Sequence, residues 1–178
     1  MSLPAVGFVG MTHLGLNSAV AAAEKGVSVV CLDPDDALVA RLWSGNSPIT
    51  EPQFSELLSK NADRLVFTSD PSSLQCCEGV YVAPDVATDN EGHSDLSAID
   101  TLLGTAASNT RADAALVILS QVPPGYTRAR YEIHSNLFYQ VETLIFGRAM
   151  ERSLFPERFI IGADNPNAGL PSEYQKFL

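Results

Sequence analysis

A glycine-containing stretch near the amino terminus, Gly10-Met-Thr-His-Leu-Gly15, is the first candidate for chemistry. It follows the apolar run AVGFV and precedes the alanine-rich run LNSAVAAAEKG. A dinucleotide-binding turn reads G-x-G-x-x-G: the first glycine permits a tight turn, the second lets the backbone approach a pyrophosphate, and the third lets helix and strand pack. Gly10 and Gly15 supply the first and third positions, whereas Thr12 replaces the second. Its side chain could clash with a pyrophosphate or hydrogen-bond to one, and the sequence leaves both open.

An acidic residue, Asp33, closes the second apolar run of the chain. In NAD-binding domains a carboxylate at this place accepts hydrogen bonds from ribose hydroxyls, and it repels a 2′-phosphate, which favours NAD over NADP. The alternative is that Asp33 caps the helix that begins in DPDD. The turn itself would offer the free N–H groups and positive end of a helix to phosphates. The predicted cofactor-binding residues are therefore Gly10, Met11, Thr12, His13, Leu14, Gly15 and Asp33.

The elements that must position these residues alternate between strand and helix. The strand patterns are apolar throughout, which indicates burial on both faces and, with helices between them, a mainly parallel sheet. The crossover rule then predicts a Rossmann-type, doubly wound α/β fold with helices on both faces. Strands are predicted at residues 5–9, 28–32, 65–68, 79–83, 115–119 and 159–161. Helices are predicted at 13–25, 35–44, 52–60, 96–106, 126–135 and 147–154.

The length and composition are those of one globular domain. The chain has 178 residues, of which 46% are hydrophobic and 18% charged, a balance that supports a real core. We predict an NAD-binding domain over residues 1–164. The remaining residues, 165–178, are polar and rich in Pro, Asn and Gly, which predicts a surface tail or the start of a linker.

The net charge and the cysteines limit the partners, the compartment and the metal sites that we expect for this chain. A formal net charge of −10 disfavours binding to nucleic acid and to anionic membranes. Apolar runs stay well short of the ~18 residues that span a bilayer, so we expect a cytoplasmic protein. Cys31, Cys76 and Cys77 form neither a C-x-x-C pair nor a His/Cys cluster, so no metal site is expected and a reducing compartment fits. A homo-oligomer remains compatible with these features.

Several stretches, in order along the chain, resemble the N-terminal NAD-binding domain of the UDP-glucose/GDP-mannose dehydrogenase family. They are FVGMTHLGLNSAVAAAEKG, VVCLDPD, LWSGNSPITEPQFSELL, DNEGHSDLSAI, SQVPPGYT and YQVETLIFGRAMERSLFPERFIIG. The resemblance runs from about residue 5 to residue 162, and SPITEP, VPPG and FPERFIIG are its specific parts. Within it, Glu51 matches a structural position and is expected to shape a helix start.

The resemblance implies an activity and two further site residues. Family members are NAD-dependent oxidoreductases that oxidise the C6 alcohol of a nucleotide sugar to a carboxylate. Their catalytic cysteine lies in a second, sugar-nucleotide-binding half, so this chain alone is expected to be inactive. Gln121 stands where the family has a threonine that positions water and cofactor, which adds it to the cofactor-binding set. Glu142 is retained and is the candidate catalytic residue, with a solvated or capping carboxylate as the alternative.

The departures from the family pattern cluster where function is expected. Besides Thr12 and Gln121, Phe146 stands at the place of a glutamate implicated in acid–base work, and Val86-Ala87 replace a Thr-Pro pair beside the nicotinamide. A phenylalanine has no ionisable group, so no pKa tuning can restore acid–base work there. Two alternatives follow. One is a non-catalytic Rossmann paralogue that binds a nucleotide weakly or a protein partner. The other is a dehydrogenase of the 3-hydroxyacid or 6-phosphogluconate type, against which SPITEP and VPPG argue.

Overall fold

The computed structural model describes residues 5–178 and builds them around one seven-stranded sheet. Residues 1–4, the start of the predicted domain, lie outside this range. The strands are β1 (Val6–Val9), β2 (Val29–Leu32), β3 (Leu65–Thr68), β4 (Gly79–Val82), β5 (Ala115–Ile118), β6 (Leu137–Gln140) and β7 (Ile161–Ala163). Their order is β3-β2-β1-β4-β5-β6-β7, and every pair is parallel except β6 with β7. The predicted Rossmann-type fold is confirmed, and the order reverses between β1 and β4, where such sheets bind ligands.

Helices cover both faces of the sheet. They are α1 (His13–Glu24), α2 (Asp36–Trp43), α3 (Phe54–Lys60), α4 (Ser97–Asn109), α5 (Ala149–Leu154) and α6 (Ser172–Phe177), with 3₁₀ helices at Ala62–Arg64, Pro71–Cys76 and Arg128–Ile133. On one face Phe8 stacks on Tyr81 at 5.0 Å between ring centroids, within the core that α1 joins. On the other face Ile99 and Leu103 of α4 pack with Ile118. Burial from both sides explains why β1, β2, β4 and β5 are apolar throughout. None of the helices within residues 5–178 is long and apolar enough to cross a bilayer.

The structure departs from the predicted elements after β5. The helix expected at 126–135 is only the 3₁₀ helix Arg128–Ile133. Here Arg130 lies 3.6 Å over the Tyr126 ring, and both side chains bind Asp100 of α4 at 2.7 Å. These long-range contacts fix a tighter backbone than the helical pattern predicts. The prediction also missed β6, whose apolar run is short, and it placed β7 at 159–161 rather than 161–163.

The segment expected to be a polar tail contains α6, which joins the core. Tyr174 is 2% exposed, and its ring lies 5.4 Å from that of Phe138. Its hydroxyl donates to Gln140 Oε1 at 3.0 Å, and the Phe177 ring lies 5.5 Å from Tyr81. Two aromatics separated by polar residues carry no long apolar run, which is why composition alone predicted a surface tail.

The docking of α6 gives a first prediction. Tyr174→Ala removes a buried ring and a hydrogen bond, and is expected to lower the free energy of unfolding by about 3–5 kcal/mol. Gln175→Ala, on the exposed side of the same helix, is the matched control and should change it by less than about 0.5 kcal/mol. Urea denaturation measures both. Equal midpoints for Tyr174→Ala and wild type would show that α6 does not contribute to the core.

Candidate functional site

The turn between β1 and α1 is built on two close backbone approaches. Gly10 has a φ of +92°, and a Cβ atom there would lie 2.9 Å from the backbone nitrogen of Pro84. A Cβ atom on Gly15 would lie 1.9 Å from the carbonyl oxygen of Gly10, closer than atoms can approach. Both glycines are therefore required for α1 to start directly above β1 and beside the end of β4. They serve the turn and packing roles that the motif assigns to its first and third glycines.

Thr12, which replaces the second glycine, is unstrained and bonded to the protein itself. Its φ of −84° and ψ of −167° are ordinary extended values. Its hydroxyl accepts the N–H of Asp85 at 2.8 Å and donates to the carbonyl of Ala83 at 3.4 Å. The side chain thus ties the turn to the segment that follows β4.

Asp33 lies on the β2 side of the turn and is buried, at 8% exposure. Its Oδ2 accepts the N–H of Met11 at 2.7 Å and its Oδ1 accepts the N–H of Asp35 at 3.0 Å. The cap of α2 is Asp35, whose carboxylate accepts from the first turn of that helix, so the capping alternative falls on Asp35. Since a carboxylate oxygen can accept two hydrogen bonds, both oxygens of Asp33 keep capacity for ribose hydroxyls.

The first N–H groups of α1 are held by a carboxylate from the β4 side. Asp85 Oδ2 accepts from His13 N–H at 3.0 Å, and Oδ1 accepts from Leu14 N–H at 3.3 Å. These N–H groups have no partner within the helix and lie at its positive end. Sequence reasoning missed Asp85. The available signal was its position just after β4, because the carboxyl ends of β1 and β4 are neighbours in the sheet.

A cleft of about 300 Å³ opens beside this turn at the carboxyl ends of the strands. It is lined by His13, Leu14, Pro84, Asp85, Val86, Gln121, Glu142, Leu144 and Phe146. The predicted residues Gln121 and Glu142 meet here, with the Gln121 amide donating to Glu142 Oε2 at 3.3 Å. Asp33 lies outside the cleft, across β1. Among residues 5–178, His, Cys, Asp and Glu side chains form no group of three that could hold a metal ion.

Glu142 has a perturbed pKa. Burial raises the pKa of its carboxyl group, the Gln121 hydrogen bond opposes this, and the negative charge of Asp85 raises it further. One of its oxygens also accepts the N–H of Leu144. A carboxyl group with a raised pKa exchanges its proton closer to neutral pH, which suits an acid–base role.

Glu51 lies in the loop before α3 and its carboxylate binds both His13 and the backbone at the start of α5. It accepts the N–H groups of Gly147 and Ala149 at the start of α5, at 3.0 and 3.4 Å, and it contacts His13 Nε2 at 2.8 Å. Burial alone would raise the pKa of Glu51, but these backbone donors and the imidazole together lower it. The predicted role of Glu51 at a helix start is met at α5 rather than at the adjacent α3, whose N-cap is Gln53 without a side-chain hydrogen bond. The His13 ring lies 4.5 Å from that of Phe146, which is 83% exposed.

The strand order, the two-glycine turn and the buried acid after β2 define a Rossmann-type dinucleotide-binding domain. The chain belongs to the UDP-glucose/GDP-mannose dehydrogenase family, whose NAD binding domain matches residues 4–177. The predicted resemblance is confirmed, and the cofactor of this domain family is NAD.

Individual relatives show the same relationship. The chain is 29% identical over 168 residues to a UDP-glucose 6-dehydrogenase of Rickettsia conorii, covering 89% of this chain and 39% of that protein. It is 31% identical to one of Rhizobium meliloti, with 88% and 38% covered. A UDP-glucose dehydrogenase structure from Pyrobaculum islandicum superposes with a TM-score of 0.82 at 25% identity, covering 93% and 42%. The chain thus spans about two fifths of the length of the relatives it matches.

The turn geometry predicts opposite effects for two glycine substitutions in helices. Gly15→Ala places a methyl group against the Gly10 carbonyl and should lower the free energy of unfolding by about 3 kcal/mol or more. Gly104→Ala in α4, where a Cβ atom meets nothing within 4 Å, should raise it by about 0.5–1 kcal/mol. Thermal and urea denaturation test both. A well-tolerated Gly15→Ala would contradict the close approach.

The Glu51 contacts predict a second stability effect. Glu51→Ala leaves two backbone N–H groups and His13 without their partner, and is expected to cost about 2–4 kcal/mol of stability. Glu56→Ala, an exposed carboxylate of α3, should cost less than about 0.5 kcal/mol. Denaturation in urea at pH 7 separates the two variants, and matching midpoints would refute the role of Glu51.

The lowered pKa of Glu51 also fixes the sign of a pH effect. Because the folded-state pKa lies below the ordinary value of 4.5, the stabilisation is present above about pH 4.5 and is lost as pH falls through the lowered pKa. Glu51→Gln should therefore flatten the acid side of the stability curve. An unchanged acid dependence in Glu51→Gln would count against this carboxylate as its source.

Proposed function

We propose that this chain is the NAD-binding half of a nucleotide-sugar 6-dehydrogenase, which oxidises the C6 alcohol of the sugar to a carboxylate. The carrying observation is the buried carboxylate of Asp33 beside the two-glycine turn, at the reversal point of the sheet. The names of the curated relatives support the reaction. The sugar-binding half and the thiol nucleophile would come from a region outside this chain.

In the proposed complex, the two halves of NAD would lie on opposite sides of β1. On the β2 side, the Asp33 carboxylate would accept hydrogen bonds from the ribose hydroxyls of the adenosine half. Residues 10–15 would face the pyrophosphate with backbone. The nicotinamide end, which accepts hydride from the substrate, would reach the cleft that holds Gln121 and Glu142. In this arrangement Gln121 orients Glu142, and Glu142 with its raised pKa holds or releases a proton beside the reacting carbon.

A second function is favoured by the residues that replace the family's polar groups. Phe146 is 83% exposed at the edge of the cleft, where the family has a glutamate, and Val86 lines the cleft in place of a polar residue. A cleft altered in this way keeps a nucleotide-binding scaffold with weaker chemistry. The alternative is therefore a non-catalytic Rossmann module that binds a nucleotide or a protein partner.

Calorimetric titration with NAD tests the proposed site. We expect saturable binding, at least about tenfold weaker in Asp33→Asn because a charged acceptor for the ribose is lost. NADP should bind more weakly than NAD. Asp35→Asn alters the neighbouring cap of α2 and should leave NAD affinity unchanged.

The same calorimetric titration with NAD is carried out on Thr12→Gly. We expect it to bind NAD more tightly, since it removes the side chain at the second glycine position. Absence of NAD binding to both the wild type and Thr12→Gly would contradict the proposed cofactor site. Activity with a nucleotide sugar, measured on a longer protein that includes this domain, separates the dehydrogenase from the non-catalytic module.

A further inference from the structure

The amino terminus of α1 already carries an anion that belongs to the protein. The Asp85 carboxylate accepts hydrogen bonds from His13 N–H at 3.0 Å and Leu14 N–H at 3.3 Å, one with each oxygen. α1 has 12 residues, so its terminus combines N–H groups that have no partner within the helix with the positive end of the helix dipole. In a dinucleotide-binding domain this is the position of the pyrophosphate.

The backbone on both sides of the Asp85 side chain is anchored. Its own N–H donates to the Thr12 hydroxyl at 2.8 Å. The preceding Pro84 is buried against Gly10, and its carbonyl accepts the hydroxyl of Ser120 at 2.5 Å. The contacts that hold the end of β4 beside the turn therefore also position Asp85 at the terminus of α1. Thr12 thus holds the backbone of Asp85 in place. This contact was not predicted from the sequence.

We propose that Asp85 is an affinity- and specificity-determining residue of the cofactor site: its carboxylate fills the pyrophosphate position, and a ligand that carries a pyrophosphate must displace it. This inference rests on the proposed function, since it concerns the same site. It explains how a domain can keep the turn, the helix and the ribose-binding acid while discriminating against the central part of NAD.

The charges around the turn strengthen the effect. Glu142 lies in the same cleft and senses the Asp85 charge. Among the described residues that line the cleft, none is lysine or arginine. The histidine of the lining, His13, already has its Nε2 on Glu51 at 2.8 Å. An entering pyrophosphate therefore meets carboxylates with no lysine or arginine to offset them, and the helix terminus cannot serve both anions at once.

Displacement requires a side-chain rotation rather than refolding of the loop. Asp85 is exposed, so its carboxylate can turn into water while the backbone N–H stays bonded to Thr12. The carboxylate accordingly weakens the binding of a pyrophosphate without abolishing it. Adenosine carries no phosphate and would engage only the Asp33 side of β1, so its affinity should not depend on Asp85.

The proposal is tested with Asp85→Ala, and the control is a second variant that also removes one negative charge. Glu91→Ala removes one exposed carboxylate from the same segment without touching α1. NAD and ADP-ribose are titrated by calorimetry, and adenosine by chemical-shift changes at millimolar concentration. Asp85→Ala should bind NAD and ADP-ribose about three- to tenfold more tightly than wild type, the scale of a helix-terminus charge interaction. Adenosine affinity should be unchanged, and Glu91→Ala should match the wild type for all three ligands.

The outcomes separate this inference from the proposed function. Saturable NAD binding of equal affinity in wild type and Asp85→Ala overturns the inference and leaves the cofactor site intact. An equal gain for adenosine also overturns it, because the effect would not then depend on the pyrophosphate. If neither NAD nor adenosine binds any folded variant, the proposed function fails and the inference fails with it.

Discussion

The contact between the Gly10 carbonyl and the backbone of Gly15 is the constraint on which the site depends. It leaves no room for a Cβ atom, so the chain must leave β1 and begin α1 within one tight turn. That turn places the helix terminus at the sheet's reversal point, between the ends of β2 and β4. Asp33 approaches it from one side and Asp85 from the other. The contacts of Asp33 and Asp85 with the turn follow from this placement.

The charges at the turn then determine which ligand groups can bind there. The positive end of α1 favours an anion, and the chain supplies one of its own through Asp85. On the proposal made above, binding of NAD would exchange one anion for another, and Thr12 would retain the backbone of the displaced residue. Glu142 lies in the adjoining cleft, where burial and the negative charge of Asp85 both raise the pKa of its carboxyl group.

The fold and the position of Asp33 at the end of β2 could be predicted from the sequence because they follow local rules. Strands buried on both faces are apolar throughout, and Asp33 closes one of them. The contacts of Asp85 and Glu51 could not be predicted, because they join residues 72 and 96 positions apart along the chain. Strand adjacency brings Asp85 near the turn, but its side-chain direction depends on Thr12 and Pro84. The core aromatics of α6 were hidden for a related reason, since Tyr174 and Phe177 are separated by polar residues.

The most direct test of this account is a ¹⁵N amide titration of the wild-type chain with NAD, with adenosine in parallel. The account predicts saturable shifts at Met11, His13 and Leu14 with NAD, since the pyrophosphate must replace Asp85 at the last two. Adenosine should shift Met11 and leave His13 and Leu14 unchanged. Saturable NAD binding that leaves the His13 and Leu14 amides unmoved would contradict it, because the pyrophosphate would not then lie at the terminus of α1.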